Sequence, residues 1–274
     1  MPHAEAGRVE PHQQRQVAES FGSDAQRYDR ARPRYPEAMV RQVVAACPGL
    51  DVLDVGCGTG IAARQFLAAG CRVLGVDPDA RMADLARQFG VEVEVAPFEG
   101  WDPAGREFDA VVAGQAWHWV DPVAGAAKAA KSLRPGGRLA VFWNSFQPPN
   151  DLAAAFAEVH KAAQPGLPFN PWTRPVIDAY LTMCGKAADG IRQAGAFSEP
   201  EQWRFDWEHG YTRDQWLDVL PTHGGNSQLP PATLDELLSG TGDAIDAVGG
   251  SFTMSYTTVV VTAPLRQMGS APPA

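Results

Sequence analysis

The chain has 274 residues, of which 45% are hydrophobic and 20% are charged, so it carries enough apolar material for a sizeable core. Its 23 basic and 32 acidic residues give a formal net charge of −9, and such an acidic body repels phosphate backbones and anionic lipids. Composition therefore disfavours nucleic acid and membrane surfaces as partners, and the length favours one elaborated domain.

The two ends of the chain differ in composition from its middle. The N-terminal segment is polar, without the apolar core of a signal peptide, and no apolar run approaches the roughly 20 residues that cross a bilayer. We expect disordered tails at 1–20 and 266–274 and a single domain at 21–265. The four cysteines show neither a CxxC pair nor metal-ligand spacing, which predicts free thiols, a cytoplasmic location and no metal site.

Strands and helices alternate along the first half of the chain. Short apolar runs predict strands at 52–55, 72–76, 91–95, 108–113 and 138–143. Helical spacing predicts helices between them, one of which begins at Pro78 and another at Asp121 and Pro122. This alternation is typical of parallel βαβ units with right-handed crossovers, so we predict an α/β fold.

The second half follows a looser pattern. Helices are predicted at 151–163, in the segment that continues to about 194, at 213–220 and at 231–248. Strands are predicted at 202–211 and 254–262. The segments 144–200 and 207–252 are longer than simple connections need, which predicts lids over a binding site. They are rich in aromatic residues and proline, including Phe169, Pro171 and Trp172, and therefore favour a small, partly apolar ligand.

The most informative segment is VLDVGCGTG at 52–60. Gly56, Gly58 and Gly60 follow a predicted strand and precede a predicted helix, where residues without Cβ let the chain turn sharply and let a ligand touch the backbone. The dinucleotide-binding pattern GxGxxG would require glycine at position 61, where Ile61 stands. The spacing is GxGxG instead, which argues against an NAD-dependent oxidoreductase.

Several further motifs accompany this turn. Asp54 lies two residues before the first glycine, and Asp77 ends the second strand, where a carboxylate can accept hydrogen bonds from a ribose diol. EFDAVVAGQAWHWVD and SLRPGGRLAVFW surround strands four and five. Together these motifs resemble the class I methyltransferases that use S-adenosyl-L-methionine (SAM), over about 28–145. YDRARPRYP and QAWHW resemble the type-11 group, and less closely the trans-aconitate-type small-carboxylate methyltransferases.

The resemblance implies both a fold and an activity. The fold is a Rossmann-like, doubly wound sheet of seven strands whose last strand is antiparallel, with helical lid insertions and a cofactor half at about 28–145. The activity is transfer of a methyl group from SAM to a small molecule, with O-methylation of a hydroxyl or carboxylate, and release of S-adenosyl-L-homocysteine. A SAM-binding regulatory or scaffold protein without transferase activity is the alternative. The oligomeric state stays open.

The resemblance also implies cofactor contacts residue by residue. The implied contacts are Tyr28, Arg32, Asp54, Gly56, Cys57, Gly58, Gly60, Asp77, Pro78, Met82, Phe98, Glu99 and Gln115. The glycine turn approaches the methionine end of SAM, and Asp54 shapes that turn or reaches the amino group through water. Asp77 holds the ribose hydroxyls, although it could instead cap the helix that Pro78 begins. Met82 lies beside the adenine, and Gln115 lies near the methionine portion.

Two parts of this assignment are less regular. Pro97 stands where the family usually has an acid for the adenine amino group, so that contact passes to Glu99 or is absent, and Phe98 supplies a backbone N–H. Tyr28 and Arg32 could close over the cofactor, with the arginine facing its carboxylate, or could simply dock the N-terminal segment on the domain.

His118 is the candidate catalytic residue. It follows the fourth strand, where open α/β sheets bind ligands, and it could take a proton from a hydroxyl acceptor. A carboxylate acceptor would need no base, and a histidine that only shapes the pocket is the alternative. Substrate contacts are predicted for Trp119, Trp143, Asn144 and His223, whereas His160 and His209 are predicted to be structural.

Overall fold

The computed structural model describes residues 21–164, 172 and 176–266. The predicted terminal tails, apart from Arg266, and most of the proline-rich loop, including Phe169 and Pro171, lie outside these residues. Within them, no helix is both long enough and apolar enough to cross a membrane. Nor do three or more His, Cys, Asp or Glu side chains of this part of the chain converge in a way that could hold a metal ion.

Seven strands form one sheet. They are β1 (Asp51–Val55), β2 (Arg72–Asp77), β3 (Glu92–Val95), β4 (Phe108–Gly114), β5 (Leu133–Gln147), β6 (Glu201–Thr212) and β7 (Ser251–Pro264). Their order is β3-β2-β1-β4-β5-β7-β6, with β1 to β5 parallel and β7 antiparallel to both of its neighbours. This arrangement confirms the predicted seven-stranded sheet and its antiparallel last strand.

Helices cover both faces of the sheet. They are α1 (Ala25–Ala31), α2 (Glu37–Ala45), α3 (Ile61–Ala68), α4 (Ala80–Gln88), α5 (Pro122–Ser132), α6 (Asn150–Ala163), α7 (Val176–Ala194), α8 (Arg213–Val219) and α9 (Pro231–Asp246). Successive side chains of a strand point to opposite faces, so Val52 packs in the layer with α2, α3 and α4, whereas Leu53 packs in the layer with α5 and α7. The sheet is therefore doubly wound, as predicted.

Two local predictions require correction. The strand predicted at 138–143 begins at Leu133, and Gly136 (φ +80°) accompanies a shift of register against β4. The helix predicted to begin at Pro78 begins at Ala80. Its N-cap is Asp79, whose carboxylate accepts from the Arg81 N–H, so Asp77 is not the cap.

A separate aromatic core lies beyond the carboxyl end of the sheet. We call it the lid cluster, and its members are Leu152, Phe156, Tyr211, Trp216, Val219, Ile245, Phe252, Met254 and Tyr256. They come from α6, α8, α9 and the outer ends of β6 and β7, and all except Met254 and Tyr256 lie within the two predicted lid segments. The helix α7, also within 144–200, instead packs Cys184, Ala187 and Ile191 against the sheet.

Candidate active site

The glycine turn joins β1 to α3. Gly56, Gly58 and Gly60 all have positive φ, at +65°, +55° and +82°, which side chains of L-residues rarely adopt. At Gly56 a Cβ would lie 2.5 Å from the Cβ of Ala116, so only glycine fits the close approach to the segment after β4. Gly56 and Gly58 line a cavity, whereas Gly60 serves as the left-handed N-cap of α3.

Two buried carboxyl groups lie beside this turn. Asp77 accepts the Gly58 N–H at 2.8 Å and the Asp79 N–H at 2.9 Å, one on each carboxylate oxygen. Burial nevertheless raises the pKa of Asp77 to about 6. Neither carboxylate oxygen of Asp54 has a well-formed hydrogen bond, and burial with the nearby charge of Asp77 raises its pKa to about 8. A buried polar group without a partner is unusual and points to a ligand or bound water beside it.

These raised pKa values predict a pH-dependent stability. The unfolded chain releases both protons near about pH 4, whereas the folded protein keeps them up to about 6 for Asp77 and about 8 for Asp54. The stabilisation is therefore complete at low pH and is lost as pH rises through the folded values. We expect Asp54→Asn, which mimics the neutral acid, to flatten the fall of Tm between about pH 4 and 8. Thermal melts across this range test it, and an unchanged slope would contradict it.

The N-terminal helix α1 connects the glycine turn to the lid through hydrogen bonds and ion pairs. Buried Asp29 accepts from the Thr59 hydroxyl at 2.8 Å and forms an ion pair with Arg64, so it is attached to the turn and to α3. On its other side, Arg30 bonds Asp218 of α8 at 2.9 Å. We call the segment 25–32 the strap, because it links the glycine turn and α3 to α8.

Arg32, which follows α1, extends this bridge. Its Nη2 donates to the carbonyl oxygen of Thr222 at 2.5 Å, and its guanidinium lies 5.1 Å from the centre of the Tyr28 ring. The Nε of Arg32 is buried and has no hydrogen-bond partner among the residues that the structure describes. Both Tyr28 and Arg32 line the cavity, so this segment forms part of its wall.

A cavity of about 770 Å³ opens at the carboxyl end of the parallel strands. The predicted site residues in its wall are Tyr28, Arg32, Gly56, Gly58, Asp77, Pro78, Met82, Phe98, Glu99, Gln115, His118, Trp119 and His223. The structure thus brings most of the sequence-predicted residues together around one space. Cys57, Gly60, Asp54, Trp143 and Asn144 lie outside the wall.

Three of these outer residues have other partners. Cys57 is buried under the turn, where its Sγ would meet a Cβ placed at Gly75 at 2.6 Å. Asn144 accepts from the Thr258 hydroxyl at 2.7 Å, and its backbone carbonyl accepts from Gln115 at 3.4 Å. Trp143 is fully buried and donates from Nε1 to Nδ1 of His118 at 3.2 Å. Asn144 and Trp143 are therefore placed to support wall residues from behind.

The cavity has a strained residue and a histidine at the end of β4. Gln115 has a φ of +56°, a cost that a non-glycine residue bears only where its surroundings enforce it, and such strain clusters at functional sites. His118 lies three residues further on, with its ring 4.7 Å from that of Trp119. Burial lowers the pKa of His118 to about 4, so the imidazole is neutral at pH 7.

The lid supplies the other end of the cavity. His223 stacks on Phe146 with ring centres 5.1 Å apart, and burial lowers its pKa well below the ordinary value, as the nearby charge of Arg32 also does. The lid residues that sequence reasoning did not assign are Phe146, Phe156, His160, Gln164, Tyr180, Leu220, Gly224, Gly225, Asn226, Gln228, Leu229, Leu237 and Thr241. His160, predicted to be structural, lies in the wall. Its spacing of four residues from Phe156 on α6 was the available signal.

Solved structures share this architecture. A structure from Anaeromyxobacter dehalogenans assigned as a type II methyltransferase superposes with a TM-score of 0.62 at 24% identity, over 86% of this chain and 99% of the other. Phosphoethanolamine N-methyltransferase 2 of Haemonchus contortus, solved with phosphomonomethylethanolamine and S-adenosylhomocysteine, gives 0.50 at 15% identity, over 97% of this chain and 62% of that one. These likenesses show the fold.

Sequence comparisons identify a methyltransferase domain in the chain. Residues 52–137 match a family described as a methyltransferase domain. An uncharacterized methyltransferase of Mycobacterium tuberculosis, Rv3342, is 28% identical over 92% of this chain and 98% of its own length. A ubiquinone biosynthesis O-methyltransferase of Bradyrhizobium is 34% identical over 36% of this chain and 43% of its own length. Residues 52–137 therefore form a methyltransferase domain, and its cofactor is SAM.

The glycine turn fits this cofactor. Backbone at Gly56 and Gly58 is open to the cavity because neither residue carries a side chain. Asp77 presents carboxylate oxygens at the same wall, and the orphaned carboxyl of Asp54 lies behind the turn. The backbone carbonyls of the turn and the Asp77 carboxylate are acceptor groups of the kind that the ribose hydroxyls and amino group of this cofactor require.

Proposed function

We propose that the chain transfers the methyl group of SAM to an oxygen atom of a small, partly apolar molecule. One observation carries the proposal: a single cavity extends from the glycine turn to an aromatic lid that includes Phe146, Phe156 and Trp172. A concave, largely apolar site of this size suits a cofactor together with a small acceptor, whereas a polymer needs an open groove. The net charge of −9 also disfavours a nucleic acid acceptor, and free thiols favour action in the cytoplasm.

The charge distribution within the cavity favours oxygen as the methylated atom. The acidic residues in the wall are Asp77, Asp79 and Glu99, all on the cofactor side. The lid side presents Arg32, His118, His160 and His223, and so offers no described carboxylate to hold an ammonium group. A hydroxyl or carboxylate is compatible with this surface, whereas a cationic amine is not. The partial likeness to a ubiquinone biosynthesis O-methyltransferase agrees with this choice.

In the proposed complex, the chain binds both reactants and aligns them. Asp77 holds the ribose hydroxyls, the backbone at Gly56 and Gly58 meets the methionine end, and Pro78, Met82, Phe98 and Glu99 surround the adenine. Arg32 and Tyr28 cover the cofactor from the strap, and Gln115 lies beside its methionine portion. Bound SAM supplies an activated methyl group with a neutral leaving group. The protein therefore contributes mainly alignment and exclusion of water.

The acceptor side of the proposed complex is the lid. Trp119, His118 and His223 contact the acceptor, and the stacked rings of Phe146 and His223 form an apolar wall. The fully buried Trp216 holds that wall, since its ring lies 5.6 Å from His223 and 6.3 Å from Phe146. Trp143 and Asn144 support the site from β5.

Incubation with isotope-labelled SAM tests the proposal directly. The purified protein is mixed with a metabolite extract, and mass spectrometry is expected to find the label on one or a few small compounds. Asp77→Ala serves as the matched control because it removes the proposed ribose contact. Label found only on protein or RNA would overturn the small-molecule proposal, and label on nitrogen would overturn the choice of oxygen.

A further inference from the structure

One contact defines the protonation state of His118. The Nε1 of Trp143 lies 3.2 Å from Nδ1 of His118. An indole N–H can only donate, so Nδ1 must be the unprotonated, accepting nitrogen of the imidazole. In a neutral imidazole the proton is then on Nε2. Trp143 has an exposed fraction of 1% within β5, so its packing keeps the donor in place.

The other ring nitrogen remains available to a ligand. Among the described residues, Nε2 of His118 has no hydrogen-bond partner, and the ring lies in the cavity wall. Burial alone lowers the pKa of the ring to about 4, and no charged neighbour contributes. The other ionisable groups in this wall are Tyr28, Arg32, Asp77, Asp79, Glu99, His160, Tyr180 and His223.

We propose that Trp143 holds His118 as a neutral hydrogen-bond donor, which binds the acceptor through Nε2–H and does not serve as a general base. The inference rests on the proposed function, because it assigns a role toward the acceptor. Trp143 is then a positioning residue. Its N–H donates to the lone pair on Nδ1 of His118, which is the lone pair that the imidazole would need to act as a base. His118 recognises an oxygen lone pair on the acceptor.

This assignment restricts the class of acceptor. With Nδ1 occupied and Nε2 protonated, His118 cannot remove a proton from a neutral hydroxyl. The acceptor oxygen that this arrangement suits is one that enters already deprotonated, as a carboxylate or an acidic phenolate. Its lone pair forms the new bond to the methyl carbon while the carbon–sulfur bond breaks, and that electron pair stays on sulfur. The sulfonium becomes a neutral thioether, and no proton is transferred.

Two substitutions of His118 distinguish a hydrogen-bond donor from a general base. The amide nitrogen of glutamine can occupy the place of Nε2 as a donor but has no basicity. With the acceptor found by labelling, we expect His118→Leu to lower kcat/KM about 10- to 100-fold and His118→Gln to recover at least about tenfold of that loss. We expect His118→Gln to leave the pH profile unchanged near about pH 6.5, the ordinary histidine value, where any limb belongs to Asp77, whose pKa burial raises to about 6. Equal losses in both variants, or a limb there that His118→Gln abolishes, would overturn the proposal.

Nitrogen NMR of histidine-labelled protein tests the tautomer without an acceptor. The wild type is expected to show His118 protonated on Nε2 alone at pH 7, and Trp143→Phe to restore a mixture of the two neutral tautomers. An Nδ1-protonated or titrating His118 in the wild type would contradict the inference, even if no small acceptor is found. Conversely, failure of labelling with the expected tautomer would overturn only the proposed function.

Discussion

Replacement of Asp77 by alanine is expected to weaken binding of S-adenosylhomocysteine by about 10- to 100-fold. The carboxylate accepts one backbone N–H on each oxygen, from Gly58 at 2.8 Å and Asp79 at 2.9 Å. It therefore orders the glycine turn and still has accepting capacity towards the cavity. Hydrogen bonds to a charged group contribute about 1.5–3 kcal/mol each, and about 1.4 kcal/mol corresponds to a tenfold change in affinity. Titration calorimetry measures the loss.

A second buried aspartate provides the control for this experiment. Asp109 accepts from the Asp51 N–H and from Arg134, both at 2.9 Å, at the amino end of β4 and so away from the cavity. Asp109→Ala is expected to lower stability without changing the dissociation constant. An unchanged dissociation constant in Asp77→Ala would show that the ribose is held elsewhere. Equal weakening in both variants would show that the loss reflects general destabilisation.

The cofactor half could be predicted from sequence because its signals are local. A strand, a turn that requires positive φ at Gly56 and a helix are contiguous, and each has its own pattern. The parallel arrangement then follows from chirality, since βαβ crossovers are right-handed. The start of α4 was predicted two residues early because Asp77 and Asp79 are both good caps. Which of the two caps the helix depends on which carboxylate accepts the N–H of Gly58 in the glycine turn, and that carboxylate is Asp77.

The lid could be predicted from the sequence only because the segments 144–200 and 207–252 are longer than simple connections need. Its wall is assembled from residues far apart in sequence, such as Phe146 on β5 and His223 after α8. No local pattern reports such a contact. The same limit applies to His118, whose position after β4 indicated a ligand. Its tautomer depends on Trp143, which lies 25 residues away.

Strands β5, β6 and β7 run from the sheet into the lid, and polar contacts of the N-terminal segment add a second connection between the two parts. Asp29 engages the glycine turn, while Arg30 and Arg32 engage Asp218 and Thr222 of the lid side. Ion pairs contribute little to stability when they are exposed to solvent. Asp29 is buried, whereas the Arg30 side chain is 63% exposed, so the Arg30–Asp218 pair adds little to the stability of the lid. The lid must therefore obtain most of its stability from its own apolar packing.

Trp216→Ala is accordingly expected to lower the free energy of unfolding by about 3–5 kcal/mol, the range for a large aromatic side chain removed from a core. Trp216 is fully buried in the lid cluster, 5.2 Å from the ring of Tyr211 and stacked at 6.3 Å on Phe156. Its Nε1 is buried and has no hydrogen-bond partner in the described part of the chain, so we expect the loss to be apolar. Urea denaturation measures the change.

Phenylalanine at the same position is the matched control. Because the indole N–H forms no hydrogen bond, Trp216→Phe loses only part of the ring volume and removes an unpaired polar group, so we expect a loss of about 1–2 kcal/mol or less. A loss from Trp216→Phe as large as that from Trp216→Ala would mean that the N–H has a partner. A small loss in both variants would mean that the lid can open without exposing its aromatic rings. Since Trp216 also supports His223 from 5.6 Å, Trp216→Ala should loosen the acceptor wall and lower turnover even where the protein remains folded.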